Sequence, residues 1–270
     1  MFLFLHIPKT AGTSFRFILE NSFSVSHCHT GHTGTQIFTE ADLQFARKFF
    51  PRLRSLAGHN LTEPTRFQIP GAFYATFLRE PVARVISHYQ DSVLRGGNTR
   101  SFPESLRNNE RLNNLQVRMI AGEENLDKAK DLIARYDFVG LTERFDLAVH
   151  MLGRLCPYPL RLHYHKYVIR KDDKVKKELE GQPEMLELAR QHNALDLQLY
   201  AYVQGEVFPG LCRKAEVNPS DVIPTYATYL NALKWRYVLG RWYNKIFRAV
   251  YSWRKPPAET PVLQERTATR

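Results

Sequence analysis

MFLFLHIPKTAGTSFRFIL, residues 1 to 19, is an apolar run followed by a short turn and an amphipathic helical pattern. The run from Phe2 to Ile7 predicts a buried strand. A helix that starts in the turn directs its free N–H groups and the positive end of its dipole toward the strand, and Thr10 or Thr13 is its expected cap. A helix N-terminus of this kind binds phosphate or sulfate. The residues predicted to hold the anion are Lys9, Thr10, Ala11, Gly12, Thr13 and Ser14.

The order of residues in this turn differs from that of the nucleoside triphosphate P-loop. That loop, G-x-x-x-x-G-K-[ST], places its lysine directly after the second glycine and a magnesium-binding Ser or Thr next. Here Lys9 precedes Gly12 by three residues, and no later predicted strand ends in an evident magnesium-holding aspartate. Magnesium with ATP is therefore a poor fit, although a nucleotide-dependent phosphotransferase that uses this loop remains an alternative.

A second strand–turn–helix pattern occurs in FYATFLREPVARVISHY, residues 73 to 89. The apolar positions after Pro81 recur at helical spacing, and proline suits the first turn of a helix. Arg79 is expected at the carboxyl end of the strand and Ser87 two turns into the helix, so both side chains can reach one ligand outside the strand ends. An arginine fork makes two parallel charge-assisted bonds to a phosphate. For Arg84, ligand contact and a surface salt bridge both fit the pattern.

The two patterns together resemble the sulfotransferases that use 3′-phosphoadenosine 5′-phosphosulfate (PAPS). HIPKTAGTS, His6 to Ser14, is similar to the loop that holds the 5′-phosphosulfate, and it is closest to carbohydrate sulfotransferases related to heparan sulfate 2-O-sulfotransferase and to their bacterial relatives. Residues 78 to 89 match the family pattern L-R-[DE]-P-x-x-R-x-x-S-x-[YF], which implies that Arg79 and Ser87 hold the 3′-phosphate of PAPS. The resemblance covers roughly residues 1 to 210. Further matches lie at Asn114, Gln116 and Arg118, in FVGLTERFD (138 to 146) and in HNALDLQLYAYV (192 to 203).

The resemblance also implies how a sulfuryl group reaches an acceptor hydroxyl. Lys9 is the expected group to neutralise charge on the bridging oxygen of PAPS, assisted by N–H groups of residues 11 to 14. The family places a His or Glu between the two phosphate motifs, and AGHNLTEP, residues 57 to 64, contains His59, which we predict to be the base. Glu63 is a second candidate for the base. No metal is required for this reaction.

Several histidines in SHCHTGHTG, residues 26 to 34, offer an alternative interpretation as metal ligands. The candidate ligands are His27, Cys28, His29 and His32. The run is rich in Gly and Thr and lacks a convincing second ligand pair. We instead predict an irregular loop beside the acceptor site, where imidazoles can meet a sulfated or carboxylated sugar. Among the other histidines, His6 is expected to be structural and His88 to face solvent.

The chain of 270 residues, 43% hydrophobic, is long enough for one sizeable core. The order of strand, turn and helix predicts an α/β fold with a P-loop-NTPase-like parallel sheet flanked by helices, in a single domain. A sulfotransferase domain is predicted over residues 1–210 and a basic, aromatic, helical C-terminal extension over 211–270. Strands are predicted at Phe2 to Ile7, Phe73 to Arg79 and Phe138 to Leu141. Helices are predicted near residues 13 to 21, 40 to 50, 82 to 95, 110 to 135 and 143 to 155.

Charge and cysteine content narrow the partners and the compartment. The net charge of +11 and the pI near 9.6 suit polyanionic ligands such as PAPS and an acidic saccharide. No helix-turn-helix, zinc or RNA-recognition signature accompanies the charge, so we predict no nucleic-acid partner. Three cysteines without a close pair favour a reducing compartment. The first strand begins at Phe2, which predicts no N-terminal signal peptide or anchor and hence a cytoplasmic enzyme.

All three tryptophans of the chain fall within residues 229 to 254. On a helical wheel Trp235, Trp242 and Trp253 lie within roughly 20° of one another. The wheel adds Leu239, Ile246 and Val250 to this face and places Lys234, Arg241, Lys245 and Arg248 on the opposite side. A helix of this kind can lie in a membrane interface, so residues 229–254 are a candidate for peripheral membrane contact. The alternative is that the aromatic face packs on the domain or on a partner subunit.

The sequence thus predicts a PAPS-dependent sulfotransferase that acts on a hydroxyl of a carbohydrate or glycoconjugate. Its alternatives are the phosphotransferase and a noncatalytic module that binds sulfated polymers or anionic lipid. The identity of the acceptor and the oligomeric state are left open at this point.

Overall fold

Five parallel strands form one sheet in the part of the chain that the structure describes. The structure is a computed structural model that describes residues 1–50, 52–164, 173–221, 223–226 and 234–254. The strands are β1 (Phe2–Leu5), β2 (His27–His29), β3 (Ser55–Gly58), β4 (Phe73–Leu78) and β5 (Phe138–Leu141). They lie in the order β2-β3-β1-β4-β5. The chain therefore builds one half of the sheet on one side of β1 and then crosses to the other side.

Helices pack around this sheet. They are α1 (Gly12–Phe23), α2 (Glu40–Phe49), α3 (Pro81–Gly96), α4 (Phe102–Asn108), α5 (Leu115–Ala121), α6 (Leu126–Ile133), α7 (Phe145–Leu155), α8 (Lys174–Glu180), α9 (Pro183–Gln191), α10 (Ala194–Tyr202), α11 (Phe208–Lys214) and α12 (Lys234–Trp253). A π-helical turn, Val203–Val207, connects α10 to α11. The predicted α/β class with a parallel sheet is confirmed.

The central strand β1 is apolar throughout because both of its faces are buried. Phe4 belongs to one core and packs on Phe15 of α1 with ring centroids 4.4 Å apart. Leu3 points to the other face, where it joins Leu56 and the aromatic side chains of α2 and α12. The two cores fix β1 from both sides, and the loop that follows it is therefore held at a rigid edge.

The predicted strands are confirmed as β1, β4 and β5; β1 ends two residues and β4 one residue before the predicted end, and β5 has the predicted bounds. The helical stretch predicted near 110 to 135 is divided into α5 and α6, because Gly122 adopts a left-handed φ of 78° after α5 and ends it. The interpretation of the histidine run as an irregular loop is wrong for His27 to His29, which form β2. Strands as short as β2 and β3 carry too few residues for a periodic signal.

Helix α12 covers the outer edge of β2. Asn244 donates from Nδ2 to the carbonyl oxygen of His27 and accepts from the N–H of His29, both at 2.8 Å. Since β2 is an edge strand, one amide side chain completes the hydrogen bonds that another strand would make. The C-terminal helix thus packs on the sheet.

The predicted domain boundary at residue 210 lies inside α11. Leu211 and Cys212 are buried in the same core as Phe4, so the first part of the predicted extension packs with the sheet. The division into residues 1–210 and 211–270 stays a prediction. Among the described helices, none combines the length and the apolar character needed to span a bilayer.

Candidate active site

Three adjacent strands bring the predicted site residues to one edge of the sheet. β1 pairs in parallel with β3 on one side and with β4 on the other. The loops at their carboxyl ends carry Lys9 after β1, His59 after β3 and Arg79 after β4. Ligands of open α/β sheets bind in the crevice at this edge, where the strand order changes direction.

The N-terminus of α1 is uncapped. Its N-cap residue is Ala11, in the left-handed conformation at φ 60°, and no side chain accepts from the first turn. The expectation that Thr10 or Thr13 caps α1 is therefore wrong; the Thr10 hydroxyl is buried and donates to the carbonyl oxygen of Ile7 at 2.9 Å. Within the described residues, the N–H groups of Gly12 and Thr13 have no acceptor. Free N–H groups at a positive dipole end favour an anion.

Lys9 is the point where the two motifs meet. Its backbone is left-handed at φ 71°, and its carbonyl oxygen accepts a hydrogen bond from Nη1 of Arg79 at 3.1 Å. Its ammonium group lies 3.6 Å from Asp91 of α3. Ser87 is half-buried one helical turn before Asp91, on the same face of α3. The two strand–turn–helix motifs therefore meet at the loop after β1.

The side chain of Gln116 holds the backbone of Arg79. Its Oε1 accepts from the Arg79 N–H at 3.0 Å, and its Nε2 donates to the Arg79 carbonyl oxygen at 2.9 Å. Burial lowers the pKa of Arg79, and the carboxylates of Glu143 and Glu80 oppose this effect. The backbone of Arg79 is therefore fixed independently of any ligand.

Arg84 is fully buried, so neither predicted role, ligand contact or surface salt bridge, applies to it. Its guanidinium lies 4.0 Å from Asp196 and donates from Nη1 to the carbonyl oxygen of Arg111 at 3.1 Å. Asp196 also accepts from the N–H groups of Gln116 and Val117 at 3.1 and 2.8 Å. The matched segments at 114 to 118 and 192 to 203 are thus joined around a buried ion pair that supports Gln116, and through it Arg79.

His59 is held by His6. Its Nδ1 lies 2.5 Å from the His6 carbonyl oxygen, and the two rings are in contact, with centroids 4.0 Å apart and an angle of 35° between their planes. A carbonyl oxygen only accepts, so Nδ1 carries the proton, and Nε2 of the neutral ring keeps a lone pair. Burial lowers the pKa of His59, the hydrogen bond to His6 opposes this, and the positive charges of Arg16 and Arg111 lower it further. The ring is therefore neutral near pH 7 and can accept a proton.

Gly12 is required by the packing of His6. A Cβ at residue 12 would lie 1.9 Å from Cδ2 of His6, a distance that real structures do not show. His6 is buried, and burial lowers its pKa well below the ordinary value. The structural role predicted for His6 agrees with this position, and Gly12 allows α1 to start directly against it.

A cleft of about 630 Å³ opens beside Lys9. Its wall includes His59, Thr13 and His88 together with the basic residues Lys9, Arg95, Arg111 and Arg118. The acidic residues in the wall are Asp91, which pairs with Lys9 and Arg95, and Glu110, which pairs with Arg118 at 2.6 Å. Arg79 and Ser87 are not among the lining residues of this cleft; Arg79 contacts the loop at the carbonyl oxygen of Lys9. Positive charge in a concave site concentrates anions.

The expectation that His88 faces solvent is wrong. The side chain is half-buried in the cleft wall, and its Nδ1 is a buried polar atom without a hydrogen-bond partner among the described residues. Burial lowers the pKa of His88 to about 4, and the charges of Arg84, Lys9 and Arg111 act in the same direction.

Two further basic residues of the cleft wall, Arg95 and Arg111, were not predicted from the sequence. Positions 87, 88, 91 and 95 follow one face of α3, which could have indicated Arg95, whereas the turn before α5 carries no such signal for Arg111.

The other candidates are engaged elsewhere. Glu63, the second candidate base, forms an ion pair with Lys128 at 3.4 Å and does not line the cleft. His27 is fully buried and bonded through Nδ1 to Ser55 at 3.0 Å, and His29 accepts from Arg16 at 3.2 Å. Within the described ranges no three His, Cys, Asp or Glu side chains are grouped as metal ligands would be.

A family model described as the sulfotransferase family matches residues 1–203. The chain belongs to the sulfotransferase family. The matched residues include the loop after β1, the start of α3 and the segments around Gln116 and Asp196. Membership in this family supports transfer of a sulfuryl group as the general reaction and agrees with the P-loop-like fold. No curated protein shows a significant match to this sulfotransferase.

Proposed function

We propose that this sulfotransferase takes its sulfuryl group from PAPS and transfers it to a hydroxyl of a carbohydrate or glycoconjugate. The observation that carries the proposal is the hydrogen bond from Arg79 to the carbonyl oxygen of Lys9. It joins an anion-binding helix N-terminus to an arginine suited to a second phosphate. PAPS carries anionic groups at its 5′ and 3′ positions, and two neighbouring anion sites suit such a molecule.

The residues on the donor side fit PAPS by their chemistry. The free N–H groups of Gly12 and Thr13 and the ammonium of Lys9 would hold the 5′-phosphosulfate. Thr10 and Ala11 shape the loop through their backbone, and Ser14 adds a half-buried hydroxyl. Arg79 and Ser87 would hold the 3′-phosphate. When bound, PAPS supplies an activated sulfuryl group whose leaving group is a phosphate.

Two groups of the chain carry the proposed chemistry. Nε2 of His59 accepts the proton of the acceptor hydroxyl while the hydrogen bond from Nδ1 to His6 holds the ring in place. The ammonium of Lys9 stabilises the negative charge that grows on the leaving oxygen. The proton of the acceptor thus passes to His59, and Lys9 offsets the negative charge that remains on the phosphate leaving group. Neither role requires a metal ion.

The cleft beside His59 suits an acceptor that is itself acidic. Arg95, Arg111 and Arg118 lie in its wall, and each of the two wall carboxylates already pairs with cations. Thr62, Gln36 and Ile37 complete the mouth with polar and apolar surface, a combination that suits a sugar ring. We propose a sulfated or carboxylated saccharide as the acceptor class.

Calorimetry and sulfate transfer test the proposal. Calorimetric titration with 3′-phosphoadenosine 5′-phosphate should give micromolar binding, and labelled PAPS should transfer sulfate to acidic glycans in the presence of EDTA. Absence of binding would overturn PAPS dependence. Phosphate transfer from ATP that needs magnesium would support the phosphotransferase instead. Binding without transfer to any glycan would overturn the carbohydrate acceptor.

A further inference from the structure

Helix α12 buries one face and is firmly attached by it. Phe247 and Tyr251 are buried in the core between β1 and α2, and the Tyr251 hydroxyl donates to Asp42. Arg236 donates to the carbonyl oxygens of Asn21 and Ser22, both at 3.1 Å, near the C-terminus of α1. Together with the hydrogen bonds from Asn244 to β2, these contacts determine which side of α12 faces outward.

The aromatic face of α12 points away from the protein. Among the described residues, Trp253 is 91% exposed, Trp235 65% and Trp242 57%. Val238 and Leu239 lie between the first two tryptophans and are also exposed. The alternative that the aromatic face packs on the domain is therefore wrong; the face with Phe247 and Tyr251 does so. Exposed apolar side chains at consecutive turns of one helix mark an interaction surface.

The charged residues beside the tryptophan face of α12 are all basic. Residues 229 to 254 contain no Asp or Glu, and their basic residues are Lys234, Arg236, Arg241, Lys245, Arg248 and Arg254. Arg241, Lys245 and Arg248 are exposed. At 100° per residue they lie along the flank between the tryptophan face and the buried face, and not opposite the tryptophans as the wheel predicted. A row of cations beside a row of tryptophans is complementary to a surface that is anionic and apolar at once.

We propose that α12 docks this sulfotransferase on the surface of an anionic lipid bilayer. Trp side chains prefer the membrane–water interface because the ring is apolar and its N–H is polar. Lys and Arg beside such a helix attract anionic headgroups. A second copy of the chain is a poor occupant, because two α12 faces would oppose cations with cations, and each chain carries a net charge of +11. The helix lies in the plane of the interface, with its tryptophans among the headgroups.

Tryptophan emission reports on α12 alone, because all three tryptophans of the chain lie on this helix. The full chain is mixed with vesicles of phosphatidylcholine alone and with vesicles that also contain phosphatidylglycerol, and flotation and tryptophan emission are recorded. We expect flotation with the anionic vesicles, a blue shift of the emission, and at least about tenfold weaker binding to the neutral vesicles. High salt should weaken the binding.

Substitutions on α12 test whether this helix is the surface that binds the vesicles. Trp235→Ser with Trp242→Ser should weaken vesicle binding about tenfold or more, and Lys245→Glu with Arg248→Glu should do the same. The matched controls, Leu94→Ser and Arg107→Glu, alter an exposed apolar and an exposed basic residue on α3 and α4 and should leave binding unchanged. Circular dichroism verifies that each variant is folded.

Three results would overturn the proposal. The first is the absence of flotation together with unchanged tryptophan emission. The second is vesicle binding that the α12 variants retain in full. The third is a stable dimer in sedimentation experiments that the tryptophan variants dissociate, since a second copy would then occupy the face. None of these measurements depends on the sulfate donor or the acceptor.

Discussion

The guanidinium of Arg79 donates a hydrogen bond to the carbonyl oxygen of Lys9 at 3.1 Å. Two motifs 70 residues apart in the chain thereby form one surface. Within the described part of the chain the guanidinium makes no other hydrogen bond, so the remaining donors of the fork are available to a phosphate. The same bond supports the left-handed backbone of Lys9, so in the proposed function Arg79 stabilises the loop of the first anion site and contributes to the second.

Replacement of Arg79 should weaken binding of 3′-phosphoadenosine 5′-phosphate. We expect Arg79→Ala to raise the Kd by about 10- to 100-fold, because charge-assisted hydrogen bonds to the phosphate are lost. Arg79→Lys should restore only part of the affinity, since one ammonium cannot bond both the loop and a phosphate. Calorimetry measures both variants, with Arg107→Ala as the control on α4. An unchanged Kd in Arg79→Ala would contradict the assignment.

Replacement of His59 should affect turnover more than binding. His59→Ala should lower kcat by about 100-fold or more while the Kd for 3′-phosphoadenosine 5′-phosphate changes by less than a few-fold. His163→Ala, an exposed histidine outside the cleft, is the matched control. A large loss of cofactor affinity in His59→Ala would instead indicate a binding role.

The pH dependence of the wild type should report the same base. The folded pKa of His59 is lowered from 6.5, mainly by burial. His59 is therefore neutral above its folded pKa, and activity should fall only when the pH drops through a value below 6.5. The measurement is kcat/KM against pH. An acid limb centred well above 6.5 would conflict with this assignment.

Buried His27 should make stability sensitive to acid. Burial lowers its pKa to about 3, so below pH 6.5 the unfolded chain binds a proton that the folded chain does not. The free energy of unfolding should then fall by about 1.4 kcal/mol per pH unit from this group between pH 6.5 and pH 3. His27→Gln should show a smaller loss than the wild type in urea titrations at pH 7 and pH 5. An equal loss of unfolding free energy in wild type and His27→Gln would show that His27 is not the cause of the acid sensitivity. His163→Gln is the control.

Loss of the amide of Asn244 should destabilise the protein. Asn244→Ala leaves the N–H of His29 and the carbonyl of His27 without their partner on the edge of β2. We expect the free energy of unfolding to fall by about 2 kcal/mol. Lys245→Ala, an exposed neighbour on α12, should change stability by less than about 0.5 kcal/mol. Equal stability of the two variants would show that water replaces the amide without cost.

The main strands and the position of the loop after β1 could be predicted because their signals are local. β1, β4 and β5 are apolar runs bounded by turns, and Pro81 and Gly12 lie at helix starts that the sequence indicated. β2 and β3 could not be predicted in the same way. They are short, and their pairing depends on β1 and on Asn244, which is more than 200 residues away in the chain.

Roles that depend on partners distant in the chain could not be predicted from local patterns. Arg84 matches the same motif as Arg79, yet it is buried against Asp196 while Arg79 contacts the loop after β1. His88 was expected at the surface, but α3 turns it into the cleft wall. Whether an arginine or histidine meets a ligand depends on which helix face is covered, and packing determines that.

The sequence by itself determined the α/β class, and it predicted the loop from Lys9 to Ser14 as an anion site with Arg79 as its partner, because both follow from the order of strand, turn and helix. Only the tertiary structure decided that Ala11 leaves α1 uncapped, that His6 fixes the proton on His59, and that the tryptophans of α12 face outward. The reason is that hydrogen bonds and burial between segments distant in the chain assign each side chain its protonation state and its surroundings.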